Sequence, residues 1–466
     1  MSIPVRPSAP DASAALPPTD PGTSPPPRHS GPRAQTGRLP KGGPRTGRLR
    51  TGWLRTGWMM TASGWSANQF SALLGAYRSE LGLSESTVTG LFALYVVGLV
   101  PGLLIGGPLA DRRGRRPVAL TALAVNLLST CLLMAGSAAT AWLLPGRFLT
   151  GLSAGALLAA GSAWVKELSC PPHAPEEAPG TAARRPGLFV SAGFASGGLV
   201  AALIAQWLPH PMATAYVPHV ILAVLAWAIA YRAPETRRPA VRAAADSPDS
   251  PDRTDGASGD GSAVGAAVDW SRFRRAVLPL APWVFAAPAV GFATLPGLVD
   301  GGLTGWRTVY AGIATAVVPG CGLLVQPVAR RLALRHRLAN ALAGLGAIVA
   351  GLALAVPAAA AAQPVLALVA AAVMGAGYGL VLTFGLTEAA AVAPPARLAM
   401  VTSLFWSVAY LGLLVPYALA LLSRWWSMPV LLAAGAVLAA LTCAVLAAPA
   451  ALAAFRRTAE PDRTRA

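Results

Sequence analysis

Charged residues are scarce in this chain of 466 residues, of which Asp, Glu, Lys and Arg make up 12%. Soluble proteins contain about 25% charged residues, so the shortage argues against a soluble globular fold. Acidic residues are rarer than basic ones, with 19 Asp and Glu against 37 Lys and Arg. Cysteine is also rare: there are four, and Cys131, Cys321 and Cys443 lie in apolar runs. A fold held together by disulfides is therefore not expected.

The sequence also lacks the motifs of common enzymes. It contains no P-loop, no glycine-rich phosphate cradle and no Ser, His and Asp set in a suitable context. Its five histidines occur singly and form no pattern of metal ligands. We therefore expect no cofactor, no metal and no enzymatic activity. No apolar h-region precedes residue 56, which argues against a cleavable signal peptide.

Apolar residues, in contrast, make up 54% of the chain and are grouped in long runs. A run of about 20 apolar residues is long enough to cross a bilayer as a helix. The sequence predicts an all-α membrane protein with twelve transmembrane helices, six on either side of a hydrophilic stretch. The predicted spans are 56–77, 87–106, 117–138, 141–165, 187–207 and 214–231, then 275–298, 307–328, 338–357, 364–388, 398–422 and 427–449.

The basic residues indicate the orientation of these spans. The formal net charge of +18 could suggest nucleic-acid binding, but the arginines fall in short loops between apolar runs. Only Arg78, Arg307 and Arg424 lie in predicted outer loops, and Arg147 lies inside a span. Because short basic loops stay on the cytoplasmic side, this asymmetry predicts that both termini are cytoplasmic. We expect a multi-pass protein of the cell (plasma or inner) membrane that has no nucleic-acid partner.

Composition divides the chain into five parts. Residues 1–55 are a basic tail, predicted to be disordered because it cannot bury enough apolar surface to fold. Residues 56–232 and 275–450 are the two predicted six-helix bundles. The linker 233–274 is rich in Pro, Ser and Asp and is predicted to be a flexible cytoplasmic tether. Residues 451–466 are a short cytoplasmic tail.

One short segment between the second and third spans is unusually patterned. Residues 106–116 read GGPLADRRGRR, in which four arginines follow Asp111. Insertion topology explains the arginines of such a loop, but not its glycines or its Asp. The pattern resembles the signature loop between helices 2 and 3 of the major facilitator superfamily. The residues that carry it are Gly107, Leu109, Ala110, Asp111, Arg112, Gly114, Arg115 and Arg116.

The fourth span carries an arginine inside the predicted membrane. Arg147 is followed by Gly151 and Gly155, a segment that resembles the helix-4 motif of the same family. A guanidinium inside a membrane is costly, so Arg147 is a candidate functional residue. The alternative is that its side chain snorkels to the outer interface.

The fifth span resembles the antiporter motif of helix 5, where a Gly-Pro pair bends the helix. Here the corresponding residues are glycines without a proline, so an antiporter assignment is in doubt. They are candidates for a hinge or, alternatively, for close helix packing. These glycines are Gly193, Gly197 and Gly198.

The resemblance implies two six-helix pseudo-repeats that rock around a central site by alternating access. In the family, the Asp and the first Arg of the helix 2–3 loop help to hold the cytoplasmic side closed. This assigns Asp111 and Arg112 to a gate, with Arg397 as the expected partner of Asp111. Gly107 is expected to allow close approach of the eleventh helix. The gate set also includes Gly114, Arg115 and Arg116. The alternative is a solvated loop carboxylate among arginines.

In the family, helices 1, 4, 7 and 10 line the central cavity. Aromatic and amide side chains in these spans suit an amphipathic organic substrate, although each could equally be core packing. The expected lining or coupling residues are Trp65, Asn68, Gln69, Arg147, Trp283, Phe285, Tyr378 and Phe384. The carboxylates near spans, Glu167, Asp300 and Glu388, all fall at predicted span ends. The coupling ion therefore stays open, with protons as one candidate.

The sequence thus predicts a secondary active transporter of a small molecule. Export of an amphipathic organic compound is the leading hypothesis, and uptake of a small metabolite by a symporter or facilitator is the alternative. A multi-span membrane enzyme should show a cluster of His, Asp or Cys at the membrane face, and the sequence has none. The intact helix 2–3 loop argues against a membrane scaffold. We expect the lipid bilayer as surroundings and a monomer.

Overall fold

The computed structural model describes residues 51–175, 181–236, 267–394 and 397–459. These residues form helices and turns, with no β-strand among them. In a bilayer every backbone N–H and C=O group needs a partner, and a helix supplies those partners within one segment. The prediction of an all-α fold is confirmed for this part of the chain.

The first half contains helices α1 to α6, which follow the predicted spans closely. Helix α1 comprises Gly52–Ala72 and Leu74–Leu81, α2 is Glu85–Arg113 and α3 is Arg115–Ala135. Helix α4 comprises Leu143–Ala156, a π-helical turn at Leu157–Gly161, and Ser162–Leu168. Helix α5 is Thr181–Trp207, and α6 is Val217–Ala230, preceded by the short helix Pro211–Thr214.

The second half contains helices α7 to α12. Helix α7 comprises Phe273–Val277, Trp283–Ala289, Val290–Thr294 and Leu295–Leu298. Helix α8 is Arg307–Leu324 continued by Gln326–Arg335, α9 is Ala339–Ala360 and α10 is Pro364–Val392. Helix α11 comprises Leu398–Tyr410, Leu411–Leu414 and Val415–Leu422, and α12 is Met428–Ala459.

Ten helices of the described residues are long and apolar enough to cross a membrane, so the chain is a multi-pass membrane protein. The two segments outside this set are α1, which carries many polar side chains, and α7, whose apolar part Trp283–Leu298 is shorter. Most residues of Gly52–Ala72 are buried against other helices. Neighbouring helices rather than lipid therefore cover the polar groups of α1.

The segment between α2 and α3 is a single-residue turn rather than the predicted loop. Helix α2 continues to Arg113, and α3 begins at Arg115. Gly114 joins them with φ of 108°, a conformation that residues with a Cβ rarely adopt. The helix propensity of Leu, Ala and Arg explains why α2 runs on through the arginine-rich sequence. The turn holds Asp111 and Arg115 on adjoining helix ends.

Helices α2 and α4 approach closely because glycines lie between them. A Cβ on Gly98 would lie 2.1 Å from the carbonyl oxygen of Phe148, and one on Gly151 would lie 1.9 Å from the α2 backbone. No side chain fits at such distances. Gly107, predicted to allow a close helix approach, has only an ordinary contact in this conformation, at 3.9 Å from Ala159.

The glycines of α5 also serve close contacts. A Cβ on Gly193 would lie 2.0 Å from the carbonyl oxygen of Thr61 on α1. Gly197 packs against Trp65 in the same way, and Gly198 packs against α8. Because α5 runs unbroken from Thr181 to Trp207, these contacts favour the packing alternative over the predicted hinge.

The two halves meet at one end of the molecule. We call the end with Gly114, Glu167 and Glu388 the basic end, and the end with Trp207 and Trp306 the opposite end. Hydrogen bonds and ring contacts between the halves, as far as the structure describes them, lie from mid-height towards the opposite end. They are Asn68 with Thr315, Gln206 with Gly305, Phe92 with Phe292, and Trp207 with Trp306. The described ion pairs at the basic end each stay within one half.

Candidate functional site

Arg147 is fully buried on α4, and its side chain is directed at α2. Its Nε donates to the carbonyl oxygen of Leu91 at 3.1 Å, and its Nη2 donates to that of Phe92 at 3.3 Å. Each carbonyl oxygen has a second lone pair beyond its helical hydrogen bond, so it can accept from a guanidinium as well. The snorkelling alternative is wrong, because the side chain turns into the protein.

Aromatic rings surround the Arg147 guanidinium. Its Cζ lies 4.2 Å from the ring centre of Phe70, 5.1 Å from that of Tyr95 and 6.0 Å from that of Phe92. Ring faces at these distances attract a cation. No described carboxylate forms an ion pair with Arg147, and its Nη1 is buried without a hydrogen-bond partner. The guanidinium is thus a buried positive charge with one donor nitrogen unused.

Further polar groups, which the sequence analysis did not single out, fill the interior of the first half. The Asn126 Nδ2 donates to Ser66 and Ser153, each at 2.9 Å. The His219 Nδ1 lies 2.9 Å from the Thr130 hydroxyl. Each of Asn126 and His219 is a polar residue inside an apolar run, which is the signal that could have found them. The hydroxyls of Tyr77 and Tyr216 are also paired, at 2.6 Å.

The second half places an aromatic cluster where three helices meet. We define the aromatic cluster as Phe285 of α7, Tyr378 of α10, and Trp406 and Tyr410 of α11. The rings of Phe285 and Tyr410 stack at 4.4 Å, and those of Tyr378 and Trp406 lie 6.0 and 6.2 Å from Phe285. Tyr378 and Trp406 are only half-buried, so the cluster is not sealed. The sequence analysis names Phe285 and Tyr378 as lining candidates but neither Trp406 nor Tyr410, because α11 is not among the helices expected to line the cavity.

Two other predicted lining residues lie outside this cluster. Trp283 donates from Nε1 to the Thr442 hydroxyl on α12 at 3.2 Å, so its polar edge faces α12. Phe384 is buried, and its neighbour Gly385 packs against the Phe405 ring. Both therefore occupy packing positions in this structure, which was the alternative for each.

The predicted residues of α1 lie at the junction of the two halves. The Asn68 Nδ2 donates to the carbonyl oxygens of Phe194 at 2.8 Å and Thr315 at 3.3 Å, which ties α1 to α5 and α8. The Asn68 Oδ1, both amide atoms of Gln69 and the Trp65 Nε1 are buried without partners among the described residues. Buried polar groups usually have a partner, so this region has unused capacity for water or a ligand.

Tyr95 lies beside Arg147 on a helix that packs against the other half. Its ring faces the Arg147 guanidinium at 5.1 Å, and its helix α2 contacts α11, which carries Tyr410. Tyr410 and Tyr378 each contact the Phe285 ring. None of these three hydroxyls has a hydrogen-bond partner among the described residues. The structure thus brings a buried cation, free hydroxyls and stacked rings into one region.

At the basic end, Glu167 of α4 anchors an ion-pair cluster of the first half. Arg115 donates from Nε to Glu167 at 3.2 Å and lies 2.5 Å from Asp111, and the Thr236 hydroxyl donates to Glu167. Arg397 is exposed at the start of α11, and the expected pair between Asp111 and Arg397 is not formed. The reason is that α2 and α11 belong to different halves, and no hydrogen bond or ion pair between described residues joins the halves at this end.

The start of α3 is capped by the segment after α6. Glu235 accepts hydrogen bonds from the backbone N–H groups of Arg115 at 3.0 Å and Arg116 at 2.9 Å. A carboxylate at a helix N-terminus is favoured by unpaired N–H groups and by the helix dipole. Arg116 donates to the Tyr231 carbonyl and lies over its ring, while Arg112 is exposed.

The second half has a matching cluster around Glu388 of α10. Arg272, just before α7, donates to Glu388 at 2.5 and 3.1 Å, and Arg337, between α8 and α9, donates at 2.5 and 3.3 Å. Both pairs use two guanidinium nitrogens, the geometry of the stronger ion pairs. Nearby, the backbone N–H of Arg272 and the Ser271 hydroxyl donate to Asp269, which lowers the pKa of that carboxyl.

The family comparison covers most of the chain. A family model described as Major Facilitator Superfamily matches residues 56–416. The match includes all of α2 to α10 and most of α1 and α11.

Similarity to individual curated proteins is confined to a shorter stretch. Over 76 residues the chain is 40% identical to "Multidrug resistance protein MdtL" of Klebsiella pneumoniae (strain 342), which covers 16% of this chain and 19% of that protein. Over 77 residues it is 35% identical to the protein of the same name of Escherichia coli O139:H28 (strain E24377A / ETEC), with the same coverage. The match thus spans about a fifth of the length of these curated relatives.

Solved structures resemble the fold over a longer range. A structure titled as a peptide transporter POT in complex with sulfate has a TM-score of 0.65 at 15% identity, covering 87% of this chain and 95% of that one. A structure titled as a D-xylose-proton symporter has a TM-score of 0.60 at 15% identity, covering 83% and 96%. At such identity the likeness shows a shared fold alone.

Proposed function

The chain belongs to the major facilitator superfamily, and from this membership and its geometry we propose that it is a secondary active transporter working by alternating access. The observation that carries the proposal is the meeting of the halves away from the basic end. The aromatic cluster and Arg147 lie near the interface between the halves. A single site reached from one side and then from the other is the essence of alternating access.

We further propose twelve membrane spans in two six-helix pseudo-repeats, with the basic end in the cytoplasm. Helices α1 and α7 complete the set, since the polar groups of α1 are covered by protein. The proposed bundles are residues 56–232 and 275–450, joined by the linker 233–274. The positive-inside rule supports cytoplasmic termini, with the tail 1–55 and the tail 451–466 inside, in the cell membrane. In this orientation the conformation is open towards the cytoplasm. No enzymatic activity is proposed, and the working unit is a monomer.

The proposed gate consists of Asp111, Arg112, Arg115 and Arg116 around the α2–α3 turn, with Arg397 as the partner on α11. In the present conformation Asp111 pairs with Arg115 inside its own half. Closing the basic end would bring the turn towards α11, where Arg397 is exposed and has no ion pair among the described residues. A charge that exchanges partners between two states biases their equilibrium, which is what a gate requires.

The proposed transported compound is small, amphipathic and organic, and the proposed direction is export. The aromatic cluster offers stacked faces, and Tyr95, Tyr378 and Tyr410 offer hydroxyls. Such sites hold flat apolar bodies and orient them through a few polar groups. The name of the curated relatives, multidrug resistance protein, supports the direction.

Uptake or facilitated diffusion of a small metabolite is the second candidate. The observation that favours it is the position of the carboxylates. Every carboxylate in the described spans lies near a helix end, and Glu388 is engaged by two arginines. A proton-driven exporter needs a group that takes up a proton on one side of the membrane and releases it on the other. Among the described residues, no carboxylate lies at mid-span to do this. Protons remain the coupling ion to test first.

Transport by purified protein in liposomes tests the proposal. Aromatic compounds of varied structure should move across the membrane faster than in empty liposomes, with and without a pH gradient. Trp406→Ala removes a ring of the aromatic cluster and should cut the rate at least about fivefold, because ring burial contributes much of the affinity at such sites. Trp425→Ala, at an exposed turn, is the matched control and should leave the rate unchanged. Folded protein that moves none of the compounds would contradict the proposal.

A further inference from the structure

The membrane interior, as far as the structure describes it, carries a positive charge without a counter-ion. Arg147 is fully buried and forms no ion pair with the described residues. The carboxylates of the described spans lie near helix ends, and the most buried of them, Glu388, is neutralised by Arg272 and Arg337 at the basic end. A charge in a medium of low dielectric acts over longer distances than one in water. Any compound in the central region is therefore exposed to the field of Arg147.

From this arrangement we propose that the site formed by the aromatic cluster and Tyr95 takes aromatic compounds that are anionic or neutral and discriminates against cations. The inference rests on the proposed function and names the substrate class of the same site. Tyr95 places the site next to the charge, since its ring faces the guanidinium and its helix α2 packs against α11, which carries Tyr410.

The hydrogen-bonding groups of the site favour the same class. The hydroxyls of Tyr95, Tyr378 and Tyr410 are without partners among the described residues, and the Arg147 Nη1 is an unused donor. These groups can all donate, and among the described residues no carboxylate lies beside them to accept from an ammonium group. A ligand with a carboxylate or carbonyl oxygen therefore finds donors, while an ammonium group finds only hydroxyl oxygens and ring faces.

The expected size of the discrimination follows from Coulomb's law. At a separation of about 10 Å and an effective dielectric constant of about 20, two unit charges change a binding constant roughly tenfold. Ring faces attract cations and oppose this effect by a smaller factor. Three of the nearby rings, Phe70, Phe92 and Tyr95, already face the Arg147 guanidinium, which reduces what they offer to a second cation.

A matched set of indole compounds tests the inference on the full purified chain at neutral pH. Indole-3-acetate is anionic, indole-3-acetamide is neutral and tryptamine is cationic, while the aromatic body is the same. Equilibrium binding of the three labelled compounds should give the affinity order acetate, acetamide, tryptamine. Tryptamine should bind at least about fivefold more weakly than acetamide. This factor is the roughly tenfold Coulomb effect, reduced by the attraction of ring faces for the cation.

Variants separate the charge of Arg147 from the hydroxyls. Arg147→Gln should bring the acetate-to-tryptamine ratio close to one, and Arg147→Lys should keep the order because it keeps the charge. Tyr410→Phe should weaken acetate and acetamide several-fold through the lost hydroxyl. The control is Tyr310→Phe, since the Tyr310 hydroxyl donates to the Pro364 carbonyl away from the cluster. If Arg147→Gln does not fold, the wild-type order and the other variants decide.

Tryptamine binding as tightly as acetamide to the wild-type protein would overturn the inference. An acetate-to-tryptamine affinity ratio that is the same in folded Arg147→Gln as in the wild type would also overturn it. So would folded protein that binds none of the three compounds. Failure of the inference and failure of the proposed function are distinguishable. Transport of other compounds without this charge order refutes the inference alone, whereas the charge order in binding without any transport refutes the transporter proposal alone.

Discussion

The two halves of the molecule have similar ion-pair clusters at the basic end but bury different side chains in the membrane interior. At the basic end, a glutamate at the end of α4 or α10 accepts hydrogen bonds from an arginine of the turn after α2 or α8. Farther from the basic end, the two halves no longer resemble each other. The first half buries Arg147, Asn126 and His219, and the second half buries stacked rings such as Phe285 and Tyr410.

This difference separates two kinds of feature: the ion-pair clusters, which each half has for itself, and the interior groups, which the two halves contribute to a common site. The clusters around Glu167 and Glu388 brace the end where each half must move as a unit. The interior groups lie on both sides of the interface, where α2 packs against α11, and there a cation and aromatic rings complement each other. A site built from unlike halves can recognise an unsymmetrical molecule, which two identical halves would do less well.

The largest expected effect comes from the buried charge of the first half. Arg147→Lys keeps the charge but cannot donate from two nitrogens of a planar fork to the carbonyls of Leu91 and Phe92. We expect the transport rate in liposomes to fall at least about tenfold at unchanged protein level, because the lost geometry leaves those contacts unmade. Arg113→Lys, at the exposed end of α2, is the control. Wild-type rates in Arg147→Lys would mean that the positive charge alone is used.

The next effect concerns the gate proposed for the first half, which has no counterpart carboxylate in the turn after α8. The Asp111 side chain is 63% exposed and pairs with Arg115. Asp111→Asn should therefore lower the free energy of unfolding by less than about 1 kcal/mol. It should nevertheless reduce the transport rate several-fold, because it removes a charge that biases one state. Glu80→Gln, an exposed carboxylate at the other end of the molecule, serves as control. Unchanged rates would reduce the turn to an orientation signal.

The two glutamates allow a direct comparison of the two ion-pair clusters. The Glu388 side chain is 4% exposed and holds two arginines, whereas the Glu167 side chain is 37% exposed. Glu388→Gln should lower the free energy of unfolding by about 2 kcal/mol, and Glu167→Gln by less than about 1 kcal/mol. Thermal unfolding of the two purified variants in the same detergent measures the difference. Equal losses would show that burial does not distinguish the clusters.

The smallest effect distinguishes the two ends of α7. Near the opposite end, partial burial raises the pKa of Asp300, against the attraction of Arg307 and Arg78. Near the basic end, hydrogen bonds from the Arg272 N–H and Ser271 lower the pKa of Asp269.

These shifts have opposite signs for stability. A raised carboxyl pKa means that ionised Asp300 destabilises the fold above that pKa, and the penalty disappears as the pH falls to the ordinary value. Asp300→Asn should slightly raise the unfolding midpoint at neutral pH, and Asp269→Asn should slightly lower it. The Asp300 difference should vanish once the pH is below the ordinary carboxyl pKa, whereas the Asp269 difference should vanish only below the lowered pKa of Asp269. Midpoints that shift in the same direction would contradict these signs.

Sequence reasoning predicted the all-α fold and the ten long apolar helices of the described residues, because hydrophobicity and bilayer thickness decide them locally. The sequence also marked Arg147 as a candidate, because an arginine inside an apolar run is rare, but it left open whether the side chain is buried or snorkels. The pairing of Glu388 with Arg272 and Arg337 could not be predicted, because these positions are far apart in sequence. Whether they meet depends on how each helix is rotated about its own axis. The same unknown rotation led to the prediction that Trp283 lines the cavity, although its polar edge faces α12.

The central claim is that the two halves must separate at the opposite end for transport to occur. The rings of Trp207 and Trp306 lie 6.1 Å apart across the halves. The double variant Trp207→Cys and Trp306→Cys, made with the four native cysteines replaced by serine, can be oxidised to a disulfide in liposomes. We predict that oxidation abolishes transport, that reduction restores it, and that each single variant is insensitive to both treatments. Full transport by protein in which the cross-link has formed would contradict alternating access.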